Sequence, residues 1–303
     1  MTDTRTATWA NIGTQYNPND KIINGLPESM CFEVEKVPLG YISDGNFIRS
    51  KGDSVVINKS TGKSYGRVSD NYLPINNIEA LGVLQDTERM GMEIVKYGET
   101  YRGMQYVIGK LEDVNILGDK FTPYLVYRNS FNGRYPIQVA ITPLRIVCQN
   151  QLNWAFKNAQ NAISIRHSAK AEERINDAQR ILCTTADYMK ELNKEAEKYA
   201  SIKLSGTQKQ QIISQLFPIT NDMTDRQKEN IQAKSVAYQV ALLRPDLTNF
   251  KDTAWEIVQA YADYVSHPVI QRNTQTMAEN TFMSVTFDPR IMQNLMSILD
   301  KVA

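Results

Sequence analysis

Residues 121–142 read FTPYLVYRNSFNGRYPIQVAIT. Two runs rich in Tyr, Val, Ile and Thr flank Ser130-Phe131-Asn132-Gly133. Asn-Gly between such runs is the strongest short-range hairpin signal in a sequence, because both turn positions need a left-handed backbone. In the second run Tyr135, Ile137, Val139 and Ile141 share one face while Gln138, Ala140 and Thr142 take the other, the period of a strand. Upstream, EIVKYG (93–98) and MQYVIGKLEDVNIL (104–117) are further strand-like runs, so an antiparallel meander is expected. Before it, CFEVEKV, YISDGNFI, SVVIN and YGRV (31–68) read as short strands broken by Gly and Asp turns, and INNIEALGVLQDTERM (75–90) as a helix of about four turns.

After the hairpin the pattern changes. Leu152, Phe156, Ala159 and Ile163 form an apolar stripe if a helix starts near Gln149, and this helix is expected to lie across the sheet. A second amphipathic helix is expected over 172–199, with further helices around 207–217, 224–243, 252–266 and 288–302. The fold class is therefore α+β: an antiparallel meander packed by a long helix, followed by an all-helical region. The expected boundaries are a loosely held arm at 1–25, a core at 26–168 and a helical region at 169–303.

Composition narrows the function. With 34 Lys and Arg against 33 Asp and Glu, net charge +1, the global charge names no partner, so any electrostatic signal is local. Two histidines (His167, His267) and three scattered cysteines (Cys31, Cys148, Cys183) supply no zinc-type cluster and no disulfide framework. STGKSYG (60–66) lacks the first glycine of a phosphate loop and reads as a hairpin turn. No cofactor is implied. The polar N-terminus is unlike a signal peptide, and a cytoplasmic setting is expected.

One stretch is unusual. Residues 120–170 hold seven Lys and Arg and no Asp or Glu. Aromatics are interleaved with the bases, the mixture that binds single-stranded nucleic acid by ring stacking and phosphate neutralisation. The candidate contacts are Arg128, Arg134, Arg145, Lys157, Arg166 and Lys170 for phosphates, with Tyr127, Trp154 and Asn150 beside them. Trp154 stands opposite the apolar stripe of its helix, among Asn153, Lys157, Asn158 and Asn161. Packing is the competing role for the aromatics, and an ion pair for Arg145. His167 reads as a surface or capping residue, and Cys148 as a core thiol.

The run Thr142–Asn150 (TPLRIVCQN), with Arg166-His167 and Arg174-Ile175 after it and GRVSDNYLPINNIEAL (66–81) before it, resembles the phage/plasmid-like protein family, whose function is unknown. More distantly, the order of helix, hairpin meander and long helix is similar to the ring-forming Rad-type single-strand annealing proteins. That likeness implies a basic groove for single-stranded DNA, no ATP and a homo-oligomer. The leading expectation is thus a non-enzymatic, phage- or plasmid-encoded single-stranded-DNA-binding and annealing protein. The alternatives are an interaction protein whose basic stretch meets an acidic partner, and a metal-dependent nuclease using carboxylates such as Asp70, Asp113, Asp119 or Glu172.

Overall fold

A computed structural model describes residues 12–15, 20–23, 26–84, 91–100, 102–145, 150–151, 162–175, 185–267 and 274–302. Three short strands, β1 (Thr14–Gln15), β2 (Ile22–Ile23) and β3 (Leu26–Pro27), precede a three-stranded antiparallel sheet of β4 (Val34–Ser43), β5 (Asn46–Asn58) and β6 (Ser64–Ser69). The β5–β6 connection is the STGKSYG stretch, which turns with Gly62 at φ +70°. One helical turn, α1 (Asn77–Ala80), runs on as a 3-10 helix through Leu81–Leu84. It is the start of the helix expected over 75–90, whose residues 85–90 lie outside the described residues.

The larger sheet contains the opening stretch. Its strands are β7 (Glu93–Glu99), β8 (Met104–Lys110), β9 (Val114–Ile116), β10 (Asp119–Ser130), β11 (Ile137–Arg145), β12 (Asn150–Gln151) and β13 (Ala162–Ile165). They pair antiparallel in the order β1-β7-β8-β10-β11-β12, with β9 on β10 and β13 on β11. The expected hairpin forms: Arg128 pairs with Gln138 and Phe121 with Arg145, and Gly133 turns the chain at φ +71°. The turn is locked by Asn132, whose Oδ1 accepts from the Arg134 N–H (3.1 Å) and the Ser130 hydroxyl (3.1 Å).

The long helix expected from Gln149 is corrected at both ends. Asn150–Gln151 and Ala162–Ile165 are strands that cover the outer edge of β11, Arg145 pairing with Asn150 and Ile137 with Ile165. Ile163 does pack the core, but from a strand. Leu152, Trp154, Phe156, Lys157 and Ala159 lie outside the described residues.

The C-terminal part is helical as expected. Helix α2 (Thr185–Ser201) is followed by α3 (Gly206–Leu216), α4 (Asp225–Leu242), α5 (Ala254–Ser266), α6 (Thr274–Phe287) and α7 (Arg290–Val302), and residues 171–175 add one helical turn ahead of them. Ser205 with Gln208 and Thr224 with Gln227 form capping boxes that start α3 and α4. Helix α6 was not expected from the sequence. Its residues Phe282, Met283 and Phe287 pack on the sheet while Met277, Thr281 and Val285 line a cleft toward α4 and α5, so no single apolar stripe stands out.

Both faces of the large sheet are covered. Val107, Leu125, Tyr127, Ile137, Val139 and Ile165 pack under Leu81, Val83, Leu84, Met30 and Ile175. Farther along that face, Phe121, Ile141 and Ile116 join α2, α5 and α7 in a core centred on Trp255. On the other face Tyr106, Ile108, Tyr124, Val126, Ala140 and Leu144 lie under α6. The expected core and helical regions thus share a hydrophobic core. Residues 121–130 are buried without interruption. A carboxylate anywhere in that run would be desolvated, which is reason enough for a stretch without acids.

Two substitutions separate burial from charge as the cause. Val126→Asp is expected to lower unfolding free energy by more than about 3 kcal/mol. Arg134→Glu, in the exposed turn, is expected to change it by less than about 0.5 kcal/mol. Equal urea midpoints for the two variants would contradict a buried strand.

Candidate nucleic-acid interface

The sequence-derived contacts scatter in the structure. Tyr127 is fully buried, and its hydroxyl donates to Oδ1 of Asn77 (3.3 Å), so it cannot stack on a base. Arg128 is also interior: Nε donates to Oε1 of Gln138 (2.8 Å), and the guanidinium lies between the rings of Tyr135 (4.5 Å) and Phe287 (4.0 Å). Burial lowers its pKa to about 10. Tyr135 therefore faces α6 and not the side of Ile137 and Val139, because it precedes the strand, across Pro136 from its first residue. Arg145 and Asn150 take part in backbone pairing at the far end of β11. Trp154 and Lys157 lie outside the described residues. The expected roles of Tyr127 in base stacking and Arg128 in phosphate contact along a basic groove are thereby corrected: α6 and the 81–84 segment cover the faces of the sheet on which they stand.

Three of the expected cations are exposed, Arg134, Arg166 and Lys170, and the first two stand at one end of the sheet. Arg134 lies in the β10–β11 turn. Arg166 follows directly on β13, whose Ile165 pairs with Ile137 at the start of β11. Arg102, which sequence reasoning missed, is exposed in the β7–β8 turn beside them: its carbonyl accepts from Nδ2 of Asn132 (3.4 Å). None of these four cations forms an ion pair among the described residues.

Aromatic rings gather at the same end. Tyr65 and Phe131 lie 5.0 Å apart, Phe32 stacks on Tyr65 at 6.1 Å, and Tyr72 meets the His167 ring at 5.2 Å. Phe131 is buried, whereas Phe32, Tyr65 and Tyr72 each keep an exposed edge. Lys63 sits 5.7 Å from the Tyr65 ring and pairs with Glu99. Partial burial pushes the Tyr65 hydroxyl up to about 12, so the ring stays neutral. The small sheet comes close because Gly66, at φ +143°, has no Cβ; one would lie 3.0 Å from Cβ of Asn132. Tyr65 and Tyr72 could not be tied to this end from the sequence, since Phe131 and His167, which they meet, are some 60 positions or more away.

A polar network fixes this end to α1. Ile75 N–H donates to Nδ1 of His167 (3.3 Å), so Nε2 carries the proton and donates to Oδ1 of Asn129 (2.8 Å). Asn129 in turn donates to Oδ1 of Asn77 (3.3 Å), and Asn77 donates to the Met30 carbonyl (2.8 Å). His167 is thus a half-buried, neutral linker and not the surface or capping residue expected. Among the described residues no three His, Cys, Asp or Glu side chains converge as a metal site. Asp70 is taken by Ser54 and Arg49, and Asp113 by Thr122 and Lys120.

The class this defines is a mixed α+β protein with a basic, aromatic sheet end. The chain belongs to the family described as Domain of unknown function (DUF932), whose model matches residues 64–284. No curated protein and no solved structure matches the chain. No helix among the described residues is long and apolar enough to cross a membrane.

Burial depresses the His167 pKa from 6.5 to about 4. The unfolded chain therefore takes up a proton that the folded protein refuses, and stability falls as pH drops from about 6.5 towards 4. The loss attributable to this residue is on the order of 3 kcal/mol. His167→Gln keeps an acceptor and a donor without titrating, so its urea midpoint is expected to fall less than the wild type's across that window. Parallel pH profiles would show that His167 is not the group responsible.

Proposed function

We propose that the protein binds single-stranded nucleic acid at this sheet end and anneals complementary strands, without ATP and as a homo-oligomer. The observation that carries the reading is the joint placement of Arg102, Arg134 and Arg166, exposed and without ion pairs, at the sheet end that holds the partly open rings of Tyr65, Tyr72 and Phe32; Lys170, also exposed and without an ion pair, follows Arg166 by four residues. Cations follow a phosphate backbone and rings accept unstacked bases, and neither needs a particular sequence. Annealing draws its driving force from base pairing, so the protein has only to hold strands with their bases exposed. The phage or plasmid origin and the likeness to Rad-type annealing proteins belong to this proposal. It differs from the groove drawn from the sequence in one respect: the strand crosses the turns at the end of the sheet and does not lie along its face.

A second reading, a non-enzymatic interaction protein, is favoured by the tip of the β4–β5 hairpin. Tyr41, Ile42, Phe47 and Ile48 are all exposed there, Ile42 by 76%, and contiguous apolar surface of this kind marks contact sites. The same surface would serve a homo-oligomer.

Fluorescence anisotropy with a labelled oligonucleotide across a salt series tests the first reading. Binding is expected to favour the single strand over the duplex and to weaken as salt rises. Arg134→Glu and Arg166→Glu should each weaken it and reduce the salt slope by about one. Salt-insensitive binding, or none at low salt, would contradict the reading and turn attention to a protein partner at the hairpin tip.

A further inference from the structure

Arg128 is a buried cation without an acid. The residue is 9% exposed, and the one hydrogen bond of its side chain among the described residues is to Oε1 of Gln138 (2.8 Å). No carboxylate lies within ion-pair distance of it among those residues. The guanidinium carbon lies over the rings of Tyr135 and Phe287, 4.5 and 4.0 Å from their centres. Ring attraction is weaker than the loss of hydration of a cation, so the rings alone leave the charge undercompensated. The terminal nitrogens have no partner, yet they are absent from the sealed, unsatisfied atoms, so they still reach solvent.

The register shows which side chains stand beside them. Tyr106, Arg128, Gln138 and Ser164 stand side by side across β8, β10, β11 and β13. Burial relaxes along that row: Tyr106 and Arg128 are buried, Gln138 is half-buried and Ser164 is exposed. Gln138 spends its carbonyl oxygen on Arg128 and retains its amide donors, and Ser164 adds a hydroxyl. Arg166, exposed, follows directly on β13, two residues beyond Ser164. The acid on the covering helix, Glu279, lies about two turns from Phe287 and accepts from the Gly13 N–H (3.1 Å).

We propose that Arg128 is the seat of a small oxyanion of the phosphate class, which enters from the β13 edge between Gln138 and Ser164 and takes the open N–H groups of the ring-clamped guanidinium. A set of donors around a planar, fixed fork suits an oxyanion with several oxygens. The acids of the neighbourhood are distant or engaged: Asp119 stands at the far end of β10, Glu279 accepts from the Gly13 N–H, and Asp288 pairs with Arg290. Because α6 closes the seat on one side, it suits a free phosphate or a terminal phosphate ester better than a continuous backbone. The inference does not rest on the nucleic-acid reading, and either can fail alone.

Thermal unfolding of the full chain in increasing inorganic phosphate, at constant ionic strength with chloride, tests it with no oligonucleotide present. A saturable rise in Tm is expected for the wild type and none for Arg128→Met. Arg128→Lys, which keeps the charge without the fork, should bind about tenfold more weakly or worse. Should Arg128→Met fail to fold, Ser164→Glu places a carboxylate at the mouth on an exposed position and should weaken phosphate by a similar factor. A nucleoside monophosphate that displaces phosphate, where its nucleoside does not, identifies the ligand as an ester; displacement by neither identifies the free ion. No saturable rise in the wild type, or an equal rise in Arg128→Met or Ser164→Glu, would overturn the proposal and leave Arg128 as an anchor for α6.

Discussion

Strand β10 is covered on both faces, and the rest of the molecule is arranged around that constraint. Residues 121–130 are continuously buried, so each side chain needs a neighbour above or below the sheet. Leu125 and Tyr127 find theirs in the 81–84 segment, Tyr124 and Val126 in α6, and Phe121 in the α2–α5–α7 core. Elements from the beginning, middle and end of the chain must therefore close on one strand together. The polar side chains that cannot avoid the interior are satisfied in kind: Asn129 through Asn77 and His167, and Ser130 through the turn it helps to build. Arg128 is the exception, stabilised by rings and one amide.

The same constraint reinterprets the stretch without acids. An absence of Asp and Glu has two physical causes, a polyanion outside or a hydrophobic interior, and composition does not separate them. Over the strands, 121–130 and 137–144, burial is sufficient. Beyond the strands it is not, because Arg134, Arg166 and Lys170 are exposed and remain without acidic neighbours in ion-pair contact. The part of the signal that burial does not explain is thus its ends, where the chain turns, and not its middle.

What could be read in the sequence was local. Asn132-Gly133 specified the hairpin, period two specified β11, and apolar spacing specified most of the C-terminal helices. The misreadings have local causes as well. Ile163 fits a helical stripe with Leu152 and Phe156, but it also fits Ala162-Ile163-Ser164-Ile165, an alternating strand, and pairing with β11 decided the matter. Tyr127 and Arg128 looked available because nothing near them in sequence covers them; Phe287, which does, is about 160 residues away. The same holds for Tyr65, Tyr72 and Arg102, whose proximity to the hairpin turn depends on a glycine approach and two hydrogen bonds made by distant segments.

Hydrogen–deuterium exchange of the intact chain, with and without a single-stranded oligonucleotide, tests the central claim that the strands are interior and only their turns meet a ligand. In the free protein the amides of 121–130 and 137–144 should be the slowest of the large sheet. They should be unchanged by the oligonucleotide, while 102–103, 131–136 and 166–170 gain protection. Rapid exchange within 122–129 in the free protein, or protection confined to those residues on binding, would contradict it and restore an open groove along the sheet.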